Sequence, residues 1–149
     1  MKYSEKIIEK LNDLLIMNYE VEKIYLEALK NVTDNTLKTF FRERGLERYE
    51  FSIELKNEIK ILDGNPEQLG ELSKDFYKVK MNFRNLIFLE NQNDLLDEVF
   101  SLKKVSIDKY NQLLMEPNLP LQLCRILIKQ RDSIQATMRV LKRESAFVA

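Results

Sequence analysis

The stretch LNDLLIMNYEVEKIYLEAL, residues 11–29, decides the fold. Its apolar residues recur at helical spacing and fall on one broad face, which indicates a long amphipathic helix. Two polar residues, Asn18 and Glu22, lie within that face. A carboxylate on the core-facing side of a helix is unusual, because ionised groups are rarely buried without a partner. Glu22 is therefore the first candidate functional residue.

The composition of the whole chain also favours long helices. Gly and Pro number only three each among 149 residues, so the chain has few breaks. With 44% hydrophobic residues the chain can fill a sizeable core, and its length predicts a single domain over residues 1–149. The sequence therefore predicts an all-α protein.

The charges and the cysteine count narrow the expected partners and location. The 24 basic and 24 acidic residues balance, so no nucleic-acid partner is expected. No apolar run approaches the length of about 18 residues that a membrane span needs, and the charged N-terminus is unlike a signal peptide, so no membrane is expected. The single Cys124 fits a reducing, cytoplasmic location. The absence of His removes the commonest transition-metal ligand and general base.

Five helices are predicted, over residues 4–31, 35–62, 66–89, 93–114 and 120–143. The clearest break between them is Asp63-Gly64-Asn65-Pro66. There Gly64 suits the left-handed residue after a helix, Asn65 suits an N-cap, and Pro66 suits a first helical turn. Short connections predict an antiparallel bundle in which four helices form the barrel and one is a crossover.

A short internal repeat favours the third helix as the crossover. The run NDLL at residues 12–15 recurs at residues 93–96, and this alignment pairs Glu22 with Lys103. A similar alignment of the second helix with the fifth pairs Arg48 with Arg131. If the repeat reflects a duplication, helices one and two form one hairpin and helices four and five form another. Chance similarity between amphipathic helices is the alternative.

Three stretches carry a resemblance to a known superfamily: residues 11–29, the run LKTFFRERGLERYEFSIELKNEIKILDGNP at residues 37–66, and residues 110–119. With the two-hairpin layout, the chain resembles the ferritin-like superfamily. More narrowly, it resembles an uncharacterised bacterial helical-bundle family, a domain of unknown function. The resemblance implies a ferritin-like antiparallel four-helix bundle made of two helical hairpins, with an additional crossover helix.

The ferritin-like resemblance also implies a dinuclear metal site, with one Glu from each of two helices and a Glu-x-x-His motif from each of the other two. Glu22 matches the first Glu, but Lys103 stands where the second is expected. Glu47 and Glu50 have the spacing of Glu-x-x-His, although Glu50 stands in place of the His. The fifth helix offers neither Glu nor His in IKQRDSIQATM. The metal site is therefore predicted to be degenerate, with no catalytic residue, metal ligand or cofactor.

An interior polar cluster is predicted at the position of that metal site, formed by Glu22, Arg48, Lys103 and Arg131. In one interpretation Glu22 accepts hydrogen bonds from the basic residues, so that Glu22→Ala destabilises the fold strongly. In a second, the long side chains of Arg44 and Lys103 carry their charges out to solvent. In a third, the basic residues bind a small anion.

Two classes of function follow from these patterns. The first is a non-enzymatic bundle that works by association, as a homodimer or with a protein partner. Its surface would use apolar residues beside the main stripes, namely Met17, Ile24, Leu46, Ile53 and Phe88. The alternative is that the crossover helix covers them. The second is a metal-dependent oxidoreductase or metal-storage protein, with an all-carboxylate site formed by Glu22, Glu47 and Glu50.

Overall fold

The computed structural model describes the backbone of residues 3–88 and 92–148, and the side chains of residues 4–87 and 94–137. All regular secondary structure within these ranges is helical. The five helices are α1 (Tyr3–Asn31), α2 (Asn35–Ile61), α3 (Lys74–Phe88), α4 (Gln92–Leu114) and α5 (Leu121–Val148). The predicted all-α class and the five helices are confirmed.

Helix α1 lies at the centre of the fold and contacts α2, α3 and α4. Large apolar residues from all five helices join it in one hydrophobic core. The burial of apolar surface in such a core is the dominant favourable term in folding. The central buried row of α1 repeats every three or four residues, as one face of a helix must, and consists of Ile7, Leu11, Leu14, Asn18, Val21, Tyr25 and Ala28.

On α1, Met17 and Ile24 are buried and do not belong to a surface patch, so the alternative of cover by the crossover helix holds for them. They flank Glu20, whose carboxylate pairs with Lys80 of α3 at 2.9 Å. Helix α3 therefore covers this second apolar face of α1. The other members of the predicted patch are Leu46 and Ile53, which are exposed, and Phe88, whose side chain lies outside the described residues.

Four of the helices contact one another in a closed ring, in the order α1, α2, α5 and α4. Lys10, near the start of α1, pairs with Glu116, just after α4, so these two helices are antiparallel. Arg44 in the first half of α2 bonds Thr137 in the second half of α5, so this pair is antiparallel as well. Short connections join α1 to α2 and α4 to α5, and each of these pairs forms a hairpin.

The chain between the two hairpins runs beside α1 from one end of the ring to the other. Gly64 lies against Ile8, since a Cβ atom on this glycine would lie 2.7 Å from the Ile8 Cγ2. Gly70 lies against Ile16, two turns further along α1. Helix α3 then continues along the second half of α1 and contacts α4. Residues 62–88 therefore make the crossover that the sequence assigned to the third helix.

Helix α3 begins well after its predicted start at residue 66, and the side chain of Asn12 bonds the non-helical backbone that precedes it. Its Nδ2 donates to the backbone oxygen of Asn65 at 3.1 Å, and its Oδ1 accepts from the amide of Glu67 at 2.8 Å. The N-cap is Ser73, whose hydroxyl accepts from the amide of residue 76 at 3.1 Å. Asn65 and Pro66 therefore do not open the helix.

The prediction that Gly64 is the left-handed residue after α2 is also wrong. Asp63 has that conformation, with φ at 62°, and Gly64 does not. The amide of Gly64 donates to the backbone oxygen of Ile59 at 2.9 Å, which closes the C-terminal cap of α2. A glycine is needed at position 64 because the side chain of Ile8 approaches it so closely.

Candidate functional site

A buried arginine lies inside the ring of four helices. Arg48 of α2 is only 2% exposed. Its guanidinium donates to Asn18 Oδ1 of α1 at 2.9 Å and to Ser106 Oγ of α4 at 3.0 Å. Both acceptors are neutral side chains. These two hydrogen bonds satisfy donors of Arg48 but leave its positive charge uncompensated.

The same polar network continues to α5 through a buried tyrosine. Asn18 Nδ2 donates to the Tyr110 hydroxyl at 3.1 Å, and that hydroxyl donates to Gln130 Oε1 at 2.6 Å. Gln130 Nε2 donates to the backbone oxygen of Phe51 at 3.4 Å. Burial raises the pKa of Tyr110, so its hydroxyl keeps the donated proton at neutral pH. One network therefore joins α1, α2, α4 and α5.

Two donors buried in this interior have no hydrogen-bond acceptor among the described residues, the Lys103 ammonium nitrogen of α4 and the Tyr25 hydroxyl of α1. A third buried donor, the Tyr19 hydroxyl, lines the outer groove between α1 and α2. Burial, followed by repulsion from Arg48 and Arg44, lowers the pKa of Lys103 to about 7. Burial likewise raises the pKa of Tyr25 to about 12. Since buried polar groups in proteins are nearly always hydrogen-bonded, each of these donors calls for an acceptor.

Helices α2 and α5 meet through a polar seam beside this interior. The Arg44 guanidinium donates to Glu47 Oε2 and to the Thr137 hydroxyl, both at 3.0 Å. The Ser133 hydroxyl donates to the same Glu47 oxygen at 2.7 Å. Glu47 is therefore already bonded to two groups, and one of them carries the positive charge of Arg44.

A cavity of about 490 Å³ lies at this seam, between the first half of α2 and the second half of α5. Phe40 also lines it, and the ring of Phe40 faces Lys103, whose Nζ lies 5.0 Å from the ring centroid. Phe40 therefore lies in contact with both the cavity and the unpartnered amine. The hydroxyl groups that line the cavity belong to Thr36, Thr39, Ser133 and Thr137.

The structure does not place Glu22 in this interior. Glu22 is partly buried in a groove between α1 and α2, near Lys56. Burial raises its pKa, and the positive charges of Lys23 and Lys56 act in the opposite direction. The prediction that Glu22 meets Arg48 is wrong, because the core-facing row of α1 passes through Val21. The next residue projects about 100° further round the helix.

Of the other predicted cluster members, Arg48 and Lys103 are in the interior and Arg131 is not. The Arg131 side chain is 30% exposed, and it donates to Asn111 Oδ1 at 2.9 Å on the outer side of α4 and α5. Gln130 takes the interior position instead, with no exposed surface. The structure therefore brings together two of the four predicted residues.

Sequence reasoning missed Ser106 and Gln130 as members of the site. The buried residues of α2 and α5 align in sequence at one constant offset. Residues 41, 45, 48, 52 and 55 of α2 correspond to residues 123, 127, 130, 134 and 137 of α5. This alignment places Arg48 opposite Gln130, one residue away from the pairing with Arg131 that the sequence favoured. The pattern of buried residues decides which residue of α5 corresponds to Arg48. The apolar residues of the two helices can be aligned in more than one way, so the sequence does not decide it.

The side chains in the interior do not fit a dinuclear metal site. Glu47 is bonded to Arg44, Glu50 is exposed, and Glu22 lies in the outer groove. In the part of the chain whose side chains are described, no three His, Cys, Asp or Glu residues are grouped so that they could hold a metal ion. The interior donors are a guanidinium, an amine, amides and hydroxyls, and a guanidinium repels a cation. Glu22, Glu47 and Glu50 therefore do not form the all-carboxylate site.

A comparison with protein families matches residues 6–116 to the family described as Domain of unknown function (DUF2383). The chain belongs to this family. The residues matched to DUF2383 include Arg48, Lys103 and Tyr110, whereas Gln130 on α5 lies beyond them. No curated protein and no solved structure matches the chain. None of the helices, as far as they are described, is long and apolar enough to cross a membrane.

Proposed function

We propose that this member of the DUF2383 family is a non-enzymatic helical-bundle protein that acts by association, with a second copy of itself as the partner. One observation carries the proposal. Helix α2 exposes Leu46, Tyr49 and Ile53 to between 42% and 56%. Leu26 of α1 lies beside them, in contact with Gly45, and is 41% exposed. We call these four exposed side chains, Leu26, Leu46, Tyr49 and Ile53, the α2 stripe.

The spacing of the α2 stripe supports a contact surface. Leu46, Tyr49 and Ile53 are three and four residues apart, so they form one continuous row on the outside of α2. Rows of exposed apolar side chains mark interaction surfaces more often than isolated ones do. Tyrosine is enriched in the cores of such interfaces. A homodimer is the commonest form of soluble oligomer, which favours a second copy as the partner.

Sedimentation velocity over a micromolar concentration series tests the proposal. We expect a dimer in the wild-type protein and a weaker one in Ile53→Glu, because the new carboxylate would be buried in the interface. Loss of a central contact residue costs about 2 kcal/mol or more, which weakens dimerisation roughly 30-fold. Met115→Glu is the matched control, since Met115 is 82% exposed and lies away from the stripe after α4. A wild-type monomer at every concentration contradicts the proposal.

We further propose that the arrangement is ferritin-like and that the polar network occupies the position of a lost metal site. The directions of the helices support this, because α1 and α5 run one way and α2 and α4 the other. The return of residues 62–88 along α1 supports it as well. Metal analysis of protein purified without chelator is the test. Stoichiometric iron, manganese or zinc would contradict a lost site.

A further inference from the structure

The interior around Phe40 contains two buried hydrogen-bond donors that have no acceptor among the described residues. They are the Lys103 amine and the Tyr25 hydroxyl. The ring of Phe40 lies against both side chains, with its centroid 5.0 Å from the Lys103 Nζ and 6.3 Å from the centroid of the Tyr25 ring. The charges of Arg48, Arg44 and Glu47 act on both groups. These two donors therefore face the same small region of the core.

The charges in this region are equally unbalanced. Arg48 is hydrogen-bonded to the neutral side chains of Asn18 and Ser106. Lys103 has no hydrogen-bond partner among the described residues. Among the described residues, the one carboxylate that acts on Lys103 is Glu47, which is already bonded to the Arg44 guanidinium. Buried cations in proteins are normally paired with an anion, because an unpaired charge in the interior is costly. The region therefore lacks negative charge.

The cavity between α2 and α5 gives access to this region. Phe40 and Arg44 line it, so the guanidinium that acts on Lys103 also faces the cavity. Hydroxyls of Thr39 and Thr137 line it too and can donate to a ligand. Of the lining residues that the structure describes, Glu43 is the one carboxylate, and its Oε2 lies 3.7 Å from the Arg44 Nη2. It is 61% exposed, so an entering anion can displace it to solvent.

We propose that this cavity binds a small oxyanion, of the carboxylate or phosphate type, through Arg44 and through the Lys103 amine behind Phe40. Arg44 and the threonine hydroxyls hold the anion in the cavity. Rotation of the Phe40 ring then exposes Lys103 and the Tyr25 hydroxyl as further donors. The amine takes up a proton as the anion arrives, because the anion supplies the missing counter-charge. This site is independent of the α2 stripe and of the proposed association.

Isothermal titration calorimetry with sulfate and with acetate tests the site, because neither anion titrates near pH 8. Titrations in two buffers of different ionisation heat measure the protons taken up. We expect saturable binding of at least one of these anions to the wild-type protein, with uptake approaching about one proton per anion. Sodium chloride at the same ionic strength is the control for general salt effects.

Two variants and two matched controls decide the assignment. Arg44→Gln and Lys103→Met are each expected to weaken binding at least tenfold, and Lys103→Met abolishes the proton uptake. Arg42→Gln and Lys104→Met remove exposed charges next to these residues in the chain, and both are expected to bind like wild type. Circular dichroism confirms that each variant is folded. The proposal is overturned if the wild-type protein binds neither anion saturably, or if Arg44→Gln and Lys103→Met bind as well as the controls.

Discussion

Replacement of Lys103 by methionine is expected to stabilise the protein, although it removes a charge from the interior. Lys103 is 2% exposed, and its amine has no hydrogen-bond partner among the described residues. Methionine has a similar length and fills the same space with apolar atoms. The substitution therefore removes a desolvated amine without opening a large cavity.

The pKa of Lys103 sets the size of the effect. The pKa falls from an ordinary 10.5 to about 7. At about 1.4 kcal/mol per pKa unit, holding the charged amine in the folded protein therefore costs up to roughly 5 kcal/mol of stability. Relaxation of the surroundings makes the measured value smaller. We expect Lys103→Met to raise the free energy of unfolding at pH 7 by about 1–4 kcal/mol, the range found when buried charges are replaced by apolar groups.

The same pKa shift predicts a pH dependence. Between about pH 7 and pH 10 the unfolded chain holds the Lys103 proton while the folded protein has released it. The unfolded state thus binds more protons, and stability must rise with pH, by up to about 1.4 kcal/mol per pH unit. Below pH 7 both states are protonated, and Lys103 contributes no further slope. Lys103→Met is expected to lack this rise.

Urea unfolding followed by circular dichroism, at pH 7 and at pH 9 in chloride buffers free of sulfate and phosphate, measures both effects. Lys104→Met is the control, because Lys104 is exposed and adjacent in the chain. It is expected to change stability by less than about 0.5 kcal/mol. A Lys103→Met protein that is less stable than wild type at pH 7, and that keeps the wild-type pH dependence, would refute the reasoning.

Four other substitutions, in the interior and outside it, test the placement of individual side chains by thermal or urea unfolding. Arg48→Ala is expected to lower the free energy of unfolding by about 3–5 kcal/mol, because it leaves buried acceptors on two helices unpaired and opens a cavity. Arg131→Ala, on the outer surface, is expected to lower it by less than about 1 kcal/mol. Equal losses would contradict the placement of Arg48, and not Arg131, in the interior. Glu22→Ala is expected to change stability by less than about 1 kcal/mol, because its carboxylate lies in an outer groove. A strong loss of stability would instead support the buried ion pair that the sequence predicted. Gly64→Ala is expected to cost about 1–3 kcal/mol, because the new methyl group would lie 2.7 Å from the Ile8 Cγ2, and unchanged stability would show that this contact can relax.

The polar residues of the interior show which buried side chains can be predicted from the sequence and which cannot. Asn18 and Arg48 interrupt apolar rows at helical spacing, and the structure buries both. Glu22 lies in a similar interruption, one residue beyond the buried row, and it faces outward. Gln130 and Arg131 are adjacent in the chain, and only the first is fully buried. A step of one residue turns a side chain by about 100°, so a periodic pattern with a broad face leaves its edges undecided.

The start of the third helix could not be predicted from the sequence either. Asn65 and Pro66 have the residue types that open helices, and local propensity favours a start there. In the structure this segment is non-helical and lies along α1, where Asn12 bonds the backbone of residues 65 and 67 and Gly70 lies against Ile16. These contacts come from a distant part of the chain, and the sequence of residues 62–73 does not indicate them.

By itself, the sequence determined the all-α class and the five helices. These depend on local spacing and on breaks such as Asp63-Gly64. Only the tertiary structure decided which polar side chains meet. Whether a charge at the edge of a helix face is buried depends on the neighbouring helices that cover it. Within the described part of the chain, Lys103 and Tyr25 are buried without a hydrogen-bond acceptor, and Glu22 is partly exposed in an outer groove. Contacts between helices, which no single helix specifies, decide these outcomes.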